Sequence, residues 1–218
     1  LFGRGYASPF GIAPMGLAGL FRHGADLMLA NAATAVAAME VLRDQGHRID
    51  SRSLAQGFAN VSWPCRMEVL ARSPVLMADG AHNLNSMESL LDSLPPYLDY
   101  RRLIMIAGFS RDKNVEDMVR CMQKAKPVVF ATASRHPRSL SSPDVAEFFA
   151  QRGISAVKTD CPAQALSAAL DVAREDDLVL ATGSLFVAAE VREAVLGIEP
   201  EIYPDLLPSD HRASGAGG

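Results

Sequence analysis

Little in this sequence points to a covalent cross-link or a bound metal. Its 218 residues include three cysteines, Cys65, Cys121 and Cys161, at wide spacings and without a Cys-x-x-Cys pair. An odd, scattered set of that kind is neither a disulfide framework nor a zinc site. The five histidines, at 23, 47, 82, 136 and 211, are equally dispersed, so no metal ligands are assigned. No run approaches the ~18 consecutive apolar residues of a membrane span. The net charge is −4 with no long basic run, so neither nucleic acid nor an anionic membrane is an expected partner. A few local cations still suffice to bind a small anion. The opening LFGRGYASPFGIAPMGLAGLF lacks the cationic start and cleavage site of a signal peptide. The expected home is the cytoplasm, and a first residue other than Met fits a start inside a longer protein.

Several reaction signatures are missing as well. There is no GxxxxGK[ST] phosphate loop, no GxGxxG after an expected strand and no GxSxG nucleophile elbow. Cys65 has no adjacent base. No catalytic residue is assigned, and a Rossmann-like oxidoreductase or methyltransferase is disfavoured.

What is present is a chain of 49% hydrophobic residues, enough to bury a core. Residues 26–45 carry apolar side chains at spacings of three and four and stop at Gly46, which reads as a helix. Residues 52–60 read as a second, shorter helix. Pro64 in Trp63-Pro64-Cys65-Arg66 then breaks the pattern, so a domain boundary or hinge is expected near 61–72. From residue 73 the texture changes to five strand–helix units. The strands are expected near 75–78, 102–108, 127–133, 155–158 and 177–183. The helices are expected near 85–94, 114–125, 142–153 (with Ser142 as N-cap), 161–173 and 184–196. The strands are continuous apolar runs, not alternating ones, as in a parallel sheet covered on both faces. The fold class is therefore α/β, a Rossmann-like, mostly parallel sheet with helices on both faces. The tail, ASGAGG, is expected to be flexible.

In an open parallel sheet ligands bind at the carboxyl ends of the strands. Those ends carry Asp79-Gly80-Ala81-His82-Asn83, then Gly108 to Lys113, then Ala133 to Arg138, then Thr182-Gly183-Ser184. Each has a plain structural reading beside the functional one. Asp79 can cap a helix, His82 can be a hydrogen-bonded histidine, and Asp112–Lys113 can be a solvated pair. Thr182-Gly183-Ser184 can be a strand end and an N-cap.

Taken in order, Asn31-Ala32-Ala33, Trp63-Pro64-Cys65-Arg66-Met67-Glu68, Asp79-Gly80-Ala81-His82-Asn83, Asp112-Lys113, Pro137-Arg138 and Thr182-Gly183-Ser184-Leu185-Phe186 resemble a known pattern. They are similar to the C-terminal part of folylpolyglutamate synthase and dihydrofolate synthase, of the Mur ligase superfamily, over roughly residues 15 to 200. The resemblance implies an ATP- and Mg²⁺-dependent ligase that phosphorylates a folate or pteroate carboxylate and couples it to L-glutamate. It implies nucleotide-binding roles for Arg66, Asp79 and Asn31, and glutamate-binding roles for His82 and Ser184. It also implies that residues 1–62 are a helical remnant of the central ATPase domain, 63–72 a hinge, 73–205 the C-terminal α/β domain and 206–218 a tail. The P-loop domain that binds most of the nucleotide would lie upstream, so this chain is expected to be inactive alone. Cys65 stands where the family has Gly, and a Cβ there strains the hinge if the backbone needs positive φ. Asn114 replaces the second acid of the family's DKD. Two other readings are a non-catalytic module descended from such a ligase and a ligase acting on a cell-wall precursor.

Overall fold

The computed structural model describes residues 25–60 and 63–200. The chain divides into two compact units, residues 1–63 and 64–218. In the first, α1 spans Ala25–Asp44 and α2 spans Ser51–Ala59. Gly46 ends α1 with φ +92°, a left-handed conformation that costs glycine least. Asp50 caps α2 by accepting from the Ser53 N–H at 2.6 Å.

The second unit is a six-stranded sheet in the order β1-β2-β6-β3-β4-β5. Its strands are β1 (Glu68–Arg72), β2 (Val75–Ala78), β3 (Leu103–Ala107), β4 (Val128–Ala131), β5 (Ala156–Lys158) and β6 (Leu178–Thr182). Its helices are α3 (Leu84–Tyr97), α4 (Val115–Gln123), α5 (Ser142–Ala150), α6 (Pro162–Val172) and α7 (Leu185–Leu196). Strands β2 to β6 are the five expected from the sequence, and they pair in parallel.

Successive strand residues face opposite layers. Leu103, Met105, Leu178 and Leu180 pack with Met87, Leu90 and Leu94 of α3, Met118 and Met122 of α4, and Val145 and Phe149 of α5. Ile104, Ile106, Val179 and Ala181 pack with Ala165 and Ala169 of α6 and Val187 and Val191 of α7. Both faces are covered, which is why these strands lack a polar alternation. Each fully buried Leu, Ile, Met or Phe contributes roughly 1.5–3 kcal/mol relative to exposure.

Three details differ from the sequence reading. Residues 68–72, expected within a hinge, form β1, which pairs antiparallel with β2 and carries an irregularity between Val69 and Ala71. As an edge strand five residues long with a charge at each end, it has no buried apolar run to announce it. The N-cap of α5 is Ser141, whose Oγ accepts from the Asp144 N–H at 3.3 Å; Ser142 is the first helical residue. Helix α3 runs three residues past Leu94, through Pro95 and Pro96, because a proline's missing N–H removes a bond from the ladder but leaves φ helical.

Candidate functional site

The carboxyl edge of the sheet begins at the turn before β1. Cys65 and Met67 both have positive φ, +57° and +45°, a region that non-glycine residues enter at a cost. The strain foreseen for Cys65 is therefore present. Three hydrogen bonds hold the turn. The Cys65 N–H donates to Glu68 Oε2 at 2.9 Å, and the Met67 N–H donates to Asp79 Oδ2 at 2.8 Å. The Gly80 N–H donates to the Cys65 carbonyl at 2.8 Å. Cys65 is buried, and burial, with Glu68 nearby, pushes its thiol up to about 11; it is not a nucleophile at neutral pH.

Asp79 follows β2 and is buried. Its second oxygen, Oδ1, accepts from the Ala81 N–H at 2.8 Å. One carboxylate thus ties the turn to the exit of β2. Burial raises its pKa, while the two N–H bonds and the Arg66 charge pull the other way. Gly80 lies close to α7: a Cβ there would come 2.8 Å from Leu185 Cδ1, the end of an exposed side chain. His82 Nδ1 lies 2.9 Å from the Gly80 carbonyl. A carbonyl only accepts, so Nδ1 carries the proton and Nε2 is left as an acceptor. Asn83 caps α3 in a capping box with Ser86. The polar string after β2 therefore has separate jobs: a bracket, a close approach, an oriented imidazole and a helix cap.

Next to β2 lies β6, and Ser184 follows it. Ser184 is buried and caps α7, its Oγ accepting from the Phe186 N–H at 3.2 Å. The hydroxyl proton remains to donate. Gly183 has φ +91°, and a Cβ there would lie 2.7 Å from the Gly108 carbonyl. Gly108 is equally confined, with Thr132 O at 2.6 Å from its ideal Cβ. Thr132 and Thr182 are buried with hydroxyls that meet no partner among the described residues.

The loops after β3 and β4 join each other. The Arg111 N–H donates to Arg138 O at 2.9 Å, and Ser110 bridges Ser139. Asp112 lies 3.0 Å from Lys113 Nζ and 3.6 Å from Arg138; the Lys113 hydrogen bond, then the Arg138 charge, holds its carboxyl low. Asn114 caps α4 by accepting from the Asp117 N–H, which gives the departure from DKD a structural use. The His136 ring stacks on Phe186 with centroids 3.9 Å apart. Burial, then the Arg138 charge, lowers the His136 pKa. On α7, Glu190 is buried and accepts from the Arg135 N–H at 2.7 Å, and Glu193 pairs with the Arg135 guanidinium.

Arg66, Asp79, His82 and Ser184 thus share one corner of the sheet, linked through Met67–Asp79 and Gly80–Leu185. The Arg66 side chain is half-buried and makes no hydrogen bond or ion pair among the described residues. Asn31 lies in α1, and its side chain is outside the described residues, as is His23. Sequence reasoning gave no role to Glu68, His136, Glu190 or Arg192. Single charged residues on β1 and α7 carry no local signal; only the fold brings them to these loops. No cluster of His, Cys, Asp or Glu able to hold a metal occurs among the described residues, and no helix there is long and apolar enough to cross a membrane.

A doubly covered, mostly parallel sheet whose loops meet at its carboxyl edge is the architecture of an α/β ligand-binding domain. The model of the family "Mur ligase, glutamate ligase domain" matches residues 65–185, more than half of the chain, and the chain belongs to that family. A probable bifunctional folylpolyglutamate synthase/dihydropteroate synthase of Haloferax volcanii is 34% identical over 163 residues, covering 71% of this chain and 18% of that protein. Among solved structures, E. coli FolC in complex with DHPP and ADP superposes with a TM-score of 0.67 at 26% identity, covering 77% of this chain and 39% of that one. A bifunctional folylpolyglutamate synthase/dihydrofolate synthase with Mn, AMPPNP and L-glutamate bound superposes with a TM-score of 0.66 at 27% identity, covering 78% and 39%. The chain therefore spans well under half the length of these relatives. Residues 1–49 match a different model, that of the FMN-dependent dehydrogenases.

Proposed function

We propose that this chain is the C-terminal part of an ATP-dependent ligase that adds L-glutamate to a folate or pteroate carboxylate through an acyl phosphate. In this reading an upstream P-loop domain holds most of the ATP and Mg²⁺, and the chain closes over the nucleotide and receives the glutamate. One observation carries the proposal: the turn that bears Arg66 is fixed by Glu68 and Asp79 at the exit of β2, where Gly80 orients His82, and Ser184 follows the neighbouring strand β6. A guanidinium suits phosphate oxygens. The His82 Nε2 acceptor suits the ammonium of an incoming amino acid, and the Ser184 hydroxyl at a helix N-terminus suits a carboxylate. Asp79 brackets turn and strand through both oxygens, and each oxygen keeps a lone pair with which it would accept from a nucleotide hydroxyl.

Residues 1–62 are read as a remnant of the central ATPase domain, with Asn31 as a nucleotide contact; residues 1–49 also match the FMN-dependent dehydrogenase model. Three free thiols suit a reducing, cytoplasmic setting.

The test is transfer of labelled L-glutamate to dihydropteroate by the chain supplemented with a separately expressed P-loop domain. Product that requires ATP and is lost in Arg66→Ala is expected. Transfer to a UDP-linked cell-wall precursor with none to a pteroate would overturn the substrate class.

A further inference from the structure

We propose that Glu68 and Arg192 are positioning residues that hold Arg66 at the ligand edge by fixing the backbone of the Pro64–Met67 turn. The inference rests on the reading of Arg66 as a phosphate ligand.

Arg66 is flanked on both sides by residues at positive φ, Cys65 and Met67. Strained backbone persists only where its surroundings over-determine it. Here Asp79 holds the Met67 side of the turn, and Glu68 holds the Cys65 side. Asp79 is buried and braced by its second N–H bond. Glu68 has no such bracing from its own strand. Its orientation comes from Arg192, whose Nε lies 2.9 Å from both carboxylate oxygens. Arg192 and Glu68 are each about three-quarters buried, so the pair is more than a solvent-screened surface contact.

Arg192 sits on α7, the helix whose first residues follow Ser184. The path from the glutamate end to the phosphate end is continuous: α7, Arg192, Glu68, the Cys65 amide, Arg66. The Cys65 carbonyl closes it by accepting from Gly80 beside His82. Loss of Arg192 frees Glu68 to rotate, the Cys65 amide loses its acceptor, and the turn relaxes toward negative φ. The guanidinium of Arg66 then swings from the edge, although Arg192 touches no ligand itself.

The experiment compares the full chain with Arg192→Ala, Arg192→Lys, Glu68→Gln, Arg66→Ala and the double variant Arg66→Ala/Arg192→Ala. Amide hydrogen exchange reports the turn, and calorimetric titration with ATP–Mg²⁺ in the presence of the separately expressed P-loop domain reports the guanidinium. In Arg192→Ala, exchange at Cys65 and Gly80 rises about tenfold while the amides of α7 keep their protection, and ATP affinity falls by about tenfold, the worth of one good hydrogen bond. Arg192→Lys, which keeps a donor, recovers part of both. Glu68→Gln, which keeps an acceptor for Cys65 but weakens the tie to Arg192, falls between. In the Arg66→Ala background, Arg192→Ala costs no further affinity. Unchanged exchange at Cys65, or affinity losses that simply add in the double variant, would overturn the inference while leaving Arg66 as a ligand. An ATP affinity indifferent to Arg66→Ala in that mixture would remove the functional reading and this inference with it.

Discussion

Replacing Asp177 by Asn should loosen the sheet at the edge opposite the ligand site, and the loss should itself depend on pH. Asp177 precedes β6, and its carboxylate is fully buried. It accepts from the Arg174 N–H at 2.9 Å, from Arg102 Nε at 3.1 and 3.2 Å, and from Arg102 Nη2 at 2.5 Å, with Arg101 3.6 Å away. Arg102 leads into β3 and also donates to Val172 O. The cluster therefore staples the amino ends of β3 and β6. The Arg102 hydrogen bond, opposed by burial, holds the Asp177 pKa down at about 2 against an ordinary 3.8. At about 1.4 kcal/mol per pKa unit this is worth roughly 2.5 kcal/mol at neutral pH. The two arginine side chains are 35% and 44% exposed, so solvent screening brings the charge-dependent part to about 1–1.5 kcal/mol. Asp177→Asn, which keeps an acceptor for the Arg174 amide, should cost about that much. Asp177→Ala, which strands a buried N–H and a guanidinium, should cost about 3 kcal/mol. Because the folded pKa is depressed, the stabilisation is complete above about pH 4 and disappears as pH falls toward 2. Urea unfolding followed by circular dichroism at pH 7 and pH 2.5 measures both. An Asp177→Asn midpoint equal to wild type at pH 7, or a difference that persists unchanged at pH 2.5, would refute the reasoning.

Other substitutions probe the ligand edge. Gly108→Ala and Gly183→Ala each place a methyl 2.6–2.7 Å from a backbone oxygen, and each should cost at least about 2 kcal/mol in the same assay. Cys65→Gly relieves a left-handed Cβ, worth about 1 kcal/mol, but removes a buried sulfur of similar worth; a net change within about 1 kcal/mol is expected, whereas Cys65→Val should cost about 2 kcal/mol or more. Burial raises the Glu190 pKa above its ordinary 4.5. Its share of stability is therefore present below that value and declines as pH rises through the folded pKa. Glu190→Gln, which keeps the acceptor for Arg135, should flatten that decline in a pH series of unfolding midpoints.

Four of the parallel strands were legible because they are apolar runs packed on both faces, such as Leu103–Ala107 and Leu178–Thr182; β5 is a short, largely exposed edge strand. Strand β1 was not, because an edge strand reading Glu-Val-Leu-Ala-Arg owes its place to pairing with β2 and carries no pattern of its own. The positions of Asp79, His82 and Ser184 were legible as polar residues at strand ends, and that of Arg66 through the family resemblance of the Trp63–Glu68 string. Their division of labour was not. That Asp79 brackets two backbone amides, or that His82 is oriented by Gly80, depends on a turn whose left-handed residues are Cys and Met, neither of which signals such a conformation. Glu68, Glu190 and Arg192 act on residues far along the chain, and no local spacing links Glu68 to a partner 124 positions away.

The most direct test of the ligase reading is a residue-resolved NMR titration of the chain with L-glutamate and, separately, with ATP–Mg²⁺. Saturable shifts at Asp79–His82 and Ser184–Phe186 with glutamate, and at Cys65–Met67 with ATP, are predicted, the former lost in His82→Ala and the latter in Arg66→Ala. Saturable shifts confined to other surfaces would contradict the assignment of this sheet edge as the glutamate- and nucleotide-facing half of a ligase.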